Sequence, residues 1–219
     1  MNAACFAEAR ALTDICPKSA CGLAPAPGAP GLIAPGLMPA TEGPVCPAPG
    51  QKRKCLLKKR KELPPLKPLV TWNPEISIIL NKENDIPKPV VSALALWNDD
   101  LRLSHEVSQS INTPIGSWLH GCMHRREGDF SNSKYWYRKV GSHACFFKIS
   151  SKFDGFLAQY SPMVEVKLKS LGKVWNPFDF IDLCSEAGFE SKDIHEILKQ
   201  AQLIELELLV EITMEEHLK

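Results

Sequence analysis

The sequence predicts a mainly α-helical protein, an irregular helical bundle from residue 69 to 219 carried behind a disordered N-terminal arm. Three observations predict it. Proline and basic residues crowd the first third, apolar residues recur at helical spacing from Pro89 onward, and helix start and stop residues punctuate the body. Residues 1–68 hold ten Lys/Arg against four Asp/Glu and 12 of the 18 prolines. The remaining 16 basic and 21 acidic groups leave residues 69–219 mildly acidic. About 150 residues are enough to bury a core.

In the arm, residues 22–50 are built from Ala, Pro and Gly. Such a segment buries too little apolar surface to offset chain entropy, so disorder is expected. QKRKCLLKKRK, 51–61, follows. It reads either as an address recognised by a nuclear import receptor or as a solvated charge run. Pro65-x-x-Pro68 reads as a stiff spacer or as a polyproline segment for a partner.

Pro89 to Ile111 reads as one helix, with Leu94, Trp97 and Leu101 on one side and Leu96, Leu103 and Val107 widening the arc. Beyond Leu101 the buried stripe presents Ser104, His105 and Ser108. Buried, these need partners, since an unpaired polar group costs about 1–3 kcal/mol. Thr113 suits an N-cap and Pro114 the first turn of the next helix, running from about Ile115 to Glu127. On its wheel Trp118, Leu119, Cys122 and Met123 share an arc, and His120, His124 and Glu127 the adjacent one. Arg125 lies opposite with Gly121. Arg126 falls in the apolar arc and calls for an acidic partner, Glu106 or Asp129. A turn with Asp129 and Ser131 as alternative caps leads to a short helix from Ser133 to Gly141. Ala144–Ile149 reads as a strand or a buried turn, and Phe153–Tyr160 as a short helix. Pro177 opens another helix ending near Gly188. Residues 191–219 mix strand-like alternation with helical spacing of Leu198, Ala201, Ile204 and Leu208. A helix capped by Ser191 is the reading adopted.

LHGCMHRREGDFSNSKYWYR, 119–138, concentrates the chemistry. His120 and His124, at i and i+4, are candidate ligands for one divalent metal ion, with His105 or Glu127 as a third. Gly121 stands where the zinc-protease motif H-E-x-x-H has Glu. The alternative is a pocket for a small anionic molecule. Arg125, Arg126, Lys134 and Arg138 would supply donors, Tyr135, Trp136 and Tyr137 stacking surfaces, and Asp129 and Asn132 further polar contacts. In it His120, His124 and Glu127 would handle protons as the candidate catalytic set. A third reading makes the cluster architectural, in a non-enzymatic adaptor or scaffold whose basic arm carries the address.

Several classes are disfavoured. Cys122 lies on the apolar arc and Ser117 has no evident base, which argues against a nucleophilic enzyme. There is no Gly-rich phosphate loop. The acidic body argues against nucleic-acid binding. No apolar run reaches the roughly 18 residues of a membrane span. Eight cysteines without a C-x-x-C fit free thiols inside the cell. The expected location is nuclear or cytoplasmic. Arg10 lies in an Ala-rich segment, but Glu8 and Asp14 argue against a mitochondrial presequence.

The run H-G-x-M-H-R-R-E-x-D-x-x-N-x-K-Y-W-x-R, His120 to Arg138, resembles a family of small uncharacterised proteins. Ser104–Glu106, Thr113–Pro114 and Trp175–Cys184 extend the likeness over most of 90–217. The resemblance implies a helical domain with a common site, and no particular activity.

Overall fold

The computed structural model describes residues 60–157, 175–189 and 191–217. The Ala/Pro-rich arm and most of the basic run 51–61 fall outside these residues. The body is a bundle of helices, with no strand among the described residues. In chain order they are α1 (Pro74–Lys82), α2 (Lys88–Trp97), α3 (Leu101–Ser108), α4 (Pro114–Glu127), α5 (Phe130–Val140), α6 (Phe146–Leu157), α7 (Pro177–Glu186) and α8 (Lys192–His217). A 3₁₀ turn, Ala187–Phe189, follows α7.

Helix starts follow local chemistry. Asn73, Thr113, Asp129 and Asn176 each accept a backbone N–H of the first turn through the side-chain oxygen. Proline occupies the first turn of α1, α2, α4 and α7. Ser191 caps α8 through Oγ to the Ile194 N–H at 3.4 Å. Helical spacing therefore prevails over strand-like alternation there. Gly128 ends α4 at φ 96°, a left-handed conformation that side chains disfavour.

The single helix expected over 89–111 is two. Asp99 adopts φ 60° and Asp100 caps α3 by accepting the Leu103 N–H at 3.1 Å. Asn-Asp-Asp offers the backbone side-chain partners that compete with helix continuation. α5 starts at Phe130, three residues earlier than expected, because Asp129 rather than Ser131 is the cap. Ala144–Ile149 is not a strand. α6 begins at Phe146 and continues to the last described residue of the Phe153–Tyr160 stretch.

The main core joins Trp118, Leu119 and Met123 of α4 to Phe153, Phe180, Ile197 and Leu208. A smaller one packs Ile76 and Ile79 of α1 against Val90, Leu94 and Leu103. Full burial of such side chains contributes roughly 1.5–3 kcal/mol each. α2 is buried all round, as its nearly uniform apolar sequence requires. Its one hydroxyl, Ser92, pairs with Ser104 Oγ of α3 at 3.0 Å.

The segment before the expected boundary at residue 69 is part of the body. Leu66 is buried, and Arg60 binds Asp99 at 2.7 Å and the Trp97 carbonyl at 2.7 Å. The Pro65 carbonyl accepts from Gln202 Nε2 at 2.9 Å, which ties this strap to α8.

Candidate functional site

α4 sorts the polar cluster into two halves. One half is buried structure. Arg125 and Arg126 are both buried, and each is paired with a carboxylate. Arg125 binds Glu205 of α8 at 2.5 Å, and its guanidinium lies 4.4 Å from the centre of the Phe180 ring. The same carboxylate accepts from Trp118 Nε1 at 2.9 Å and from the Tyr137 hydroxyl at 2.5 Å. Burial works most strongly against the Arg125 charge, but Glu205, joined by Cys122, Tyr137 and Cys184, outweighs it and the pKa rises well above its ordinary value. Burial, reinforced by Glu205, raises Tyr137 well above its own. Tyr137 is therefore a structural hydrogen-bond donor rather than a stacking surface.

Arg126 does need an acidic partner, but the partner is neither Glu106 nor Asp129. It is Asp99, at 2.5 Å, with the Leu96 carbonyl accepting at 2.5 Å. Asp99 thus receives Arg126 on one oxygen and Arg60 on the other, so three separate segments meet at the break between α2 and α3. Burial lowers the Arg126 pKa, with Asp99 opposing.

The other half is the histidine group. His105 of α3 and His120 and His124 of α4 come together, with ring centres 4.8 Å (105–120), 5.4 Å (105–124) and 4.7 Å (120–124) apart. One nitrogen from each lies within 4.8 Å of the others. His120 and His124 are buried and His105 is half-buried. Hydrogen bonds orient the rings of the α4 pair. Ser108 Oγ lies 3.1 Å from His120 Nδ1 and 3.3 Å from the His105 carbonyl. Glu127 accepts from His124 Nδ1 at 2.5 Å. Asn132 Nδ2 lies 3.0 Å from His124 Nε2, so the amide and Glu127 bracket that ring. Burial, with the charges of His124, His105 and Lys139 adding to it, lowers the His120 pKa to about 4.

α5 walls this group because Gly121 lets it approach. A Cβ on Gly121 would lie 2.8 Å from Tyr137 Cδ2, and Ser133 Oγ donates to the Gly121 carbonyl at 2.7 Å. The residue that removes the protease motif is thus required by packing. Trp136 rests on His120 with ring centres 4.1 Å apart. The Lys139 ammonium lies 4.3 Å from the Trp136 ring centre and 4.6 Å from that of Tyr135.

The other predicted site residues are occupied or peripheral. Asp129 forms a triple with His124 and Glu127 whose ligand atoms also lie within 4.8 Å. Its carboxylate serves the α5 cap, accepting from the Asn132 N–H and Ser131 Oγ, and these bonds lower its pKa. Lys134 binds Asp182 of α7 at 2.5 Å. Tyr135 and Arg138 are exposed. Cys122 and Cys184 are buried, and burial pushes both thiols up to about 12, so neither is a thiolate near neutral pH.

Asp99, Glu205 and Lys139 were not singled out from the sequence. Glu205 carries a readable signal: it stands four residues after Ala201 and three before Leu208, an acid on the buried stripe of α8.

Comparison of the chain with models of protein families, with curated proteins and with solved structures found no match. These comparisons lend no support to the likeness of His120–Arg138 and its flanking segments to a family of small proteins.

Proposed function

We propose that the protein binds one divalent transition-metal ion through His105, His120 and His124, leaving a coordination position open. The observation that carries this reading is the convergence of three imidazole nitrogens from two helices within 4.8 Å. A point equidistant from three atoms that far apart lies about 2.8 Å from each, against roughly 2.0–2.1 Å for a zinc–imidazole bond. Inward movement of each ring by under about 1 Å, with Asn132 Nδ2 released from His124 Nε2, closes the site. Glu127 on His124 Nδ1 and Ser108 on His120 Nδ1 are the outer partners that orient imidazole ligands. Three neutral histidines and an open position suit a metal that binds or activates an exogenous ligand.

An anion pocket built on the arginines is less well supported. Arg125 and Arg126 are committed to Glu205 and Asp99, and Lys134 to Asp182. The two buried arginine pairs favour an architectural role for that half of the cluster, as in the adaptor reading.

Equilibrium dialysis of the full chain against zinc, followed by metal analysis, tests the proposal. One equivalent per chain is expected, lost in His105→Ala and in His120→Ala but kept in Arg138→Ala. Equally negligible metal in all four proteins refutes it. For the address, the supporting observation is the basic run itself. Replacing Lys52, Arg53, Lys54, Lys58 and Lys59 by glutamine spares the Arg60–Asp99 pair and should move a nuclear protein to the cytoplasm. An unchanged distribution rejects an import signal.

A further inference from the structure

Lys139 differs from the three cations of the cluster that are already paired. Arg125, Arg126 and Lys134 each hold a carboxylate at 2.5 Å. Among the described residues no carboxylate lies within 4.0 Å of the Lys139 ammonium, and its recorded contacts are the faces of Trp136 and Tyr135. The side chain is exposed, so the ammonium keeps donors for a ligand. Trp136 in turn lies against His120, so one indole touches both this cation and the histidine group, and the Lys139 charge acts on His120.

A divalent ion on three neutral imidazoles keeps its full double charge, Glu127 and Asp129 beside His124 offset it, and Lys139 restores one unit of positive charge. With Lys139 alongside, the open position faces a region of net positive charge. Electrostatics there favour an anionic fourth ligand over a neutral one. Oxygen donors suit an open position on a zinc-like ion, and a lysine ammonium binds an oxyanion as a point charge. Trp136 and Asn132 crowd the same side of α5, which limits the ligand to a small group.

Resting on the metal site proposed above, we infer that its ligand is a small oxyanion, a carboxylate or phosphate group, bound to the metal through one oxygen and to Lys139 through another. Lys139 is a ligand-binding residue of that site, and Trp136 and Tyr135 position its stem.

Cobalt(II) in place of zinc gives a visible absorption spectrum that reports the fourth ligand. Full-length protein loaded with one cobalt(II) is titrated separately with acetate and with inorganic phosphate at constant pH and ionic strength, with perchlorate as the salt control. A saturable spectral change is expected with at least one of the two, and the stronger responder identifies the class. Lys139→Gln should take up cobalt(II) as the wild type does and bind that anion about tenfold more weakly. Lys139→Arg should restore most of the affinity. A cobalt spectrum that ignores both anions overturns the inference and leaves the metal site standing. So does equal anion affinity in Lys139→Gln, whose fold is checked by circular dichroism. Failure of the wild type to take up cobalt(II) at all overturns the metal site and this inference with it.

Discussion

Glu205→Gln is the sharpest perturbation of the buried half of the cluster. The amide oxygen still accepts from Trp118 Nε1 and the Tyr137 hydroxyl, which lie 2.9 and 2.5 Å from Glu205 Oε1. The amide nitrogen, however, turns a donor toward the Arg125 guanidinium, which stands 2.5 Å from Oε2. Arg125 stays buried and charged, left among the described residues with the Tyr137 hydroxyl, the Cys122 sulfur and the Phe180 ring. Removing one partner of a buried ion pair costs about 3–5 kcal/mol. For a body of about 150 residues, that lowers the melting temperature by roughly 8–15 °C. The assay is urea unfolding followed by tryptophan fluorescence and circular dichroism, with the two transitions required to coincide. The companion variant is Arg125→Met/Glu205→Gln. It removes the stranded cation while keeping both hydrogen bonds to the remaining side chain, so most of the lost stability should return. A single variant within about 1 kcal/mol of wild type refutes the reasoning. So does a double variant no more stable than the single one.

Three further outcomes are expected. Gly121→Ala forces a Cβ to within 2.8 Å of a Tyr137 ring already held by Glu205, so it should cost about 1–3 kcal/mol, and a neutral melting curve contradicts the close approach of α4 and α5. In the metal-free protein the folded pKa of His120 is about 4 against an ordinary 6.5. The unfolded chain takes up the proton first, so this group's contribution is complete above pH 6.5 and is lost as pH falls toward 4. His120→Gln should flatten that part of the profile of urea midpoint against pH, and an unchanged slope counts against it. Glu127→Gln weakens the carboxylate that orients His124 and should reduce zinc affinity about 10- to 100-fold with little change in stability. Unaltered affinity in a competition titration removes Glu127 from the site.

Helix starts are legible in the sequence because a cap and a proline act within four residues. Thr113–Pro114 and Pro177 mark the beginnings of α4 and α7, and Ser191 settles an ambiguous stretch as helix. The break at Asp99 is harder to read, because the apolar arc of α2 and α3 runs straight across it. α1 also goes unforeseen. Its nine residues draw support from outside, with the side chain of Asn98, just after α2, bonded to the Asn73 backbone and Ser77.

The histidine group is legible in part for the same local reason. Spacing of four puts His120 and His124 on one face, and the buried stripe of the preceding helix leads to His105. Membership of the arginines is not, because their partners are distant in sequence. Arg125 and Glu205 are 80 residues apart, and Arg126 and Asp99 are 27 apart. A helical wheel shows which side a residue occupies but not which charge waits there. Two arginines next to two histidines therefore read as one site, while the fold sends them to opposite kinds of environment, one sealed and paired, the other bordered by exposed Lys139 and Glu127.

The most direct measurement is the X-ray absorption spectrum of the zinc-loaded protein at the metal edge. The account predicts three imidazole nitrogens and one oxygen at about 2.0 Å, with the imidazole contribution reduced in His105→Ala. A sulfur shell at about 2.3 Å, or a six-oxygen shell that the His105→Ala change leaves untouched, contradicts it.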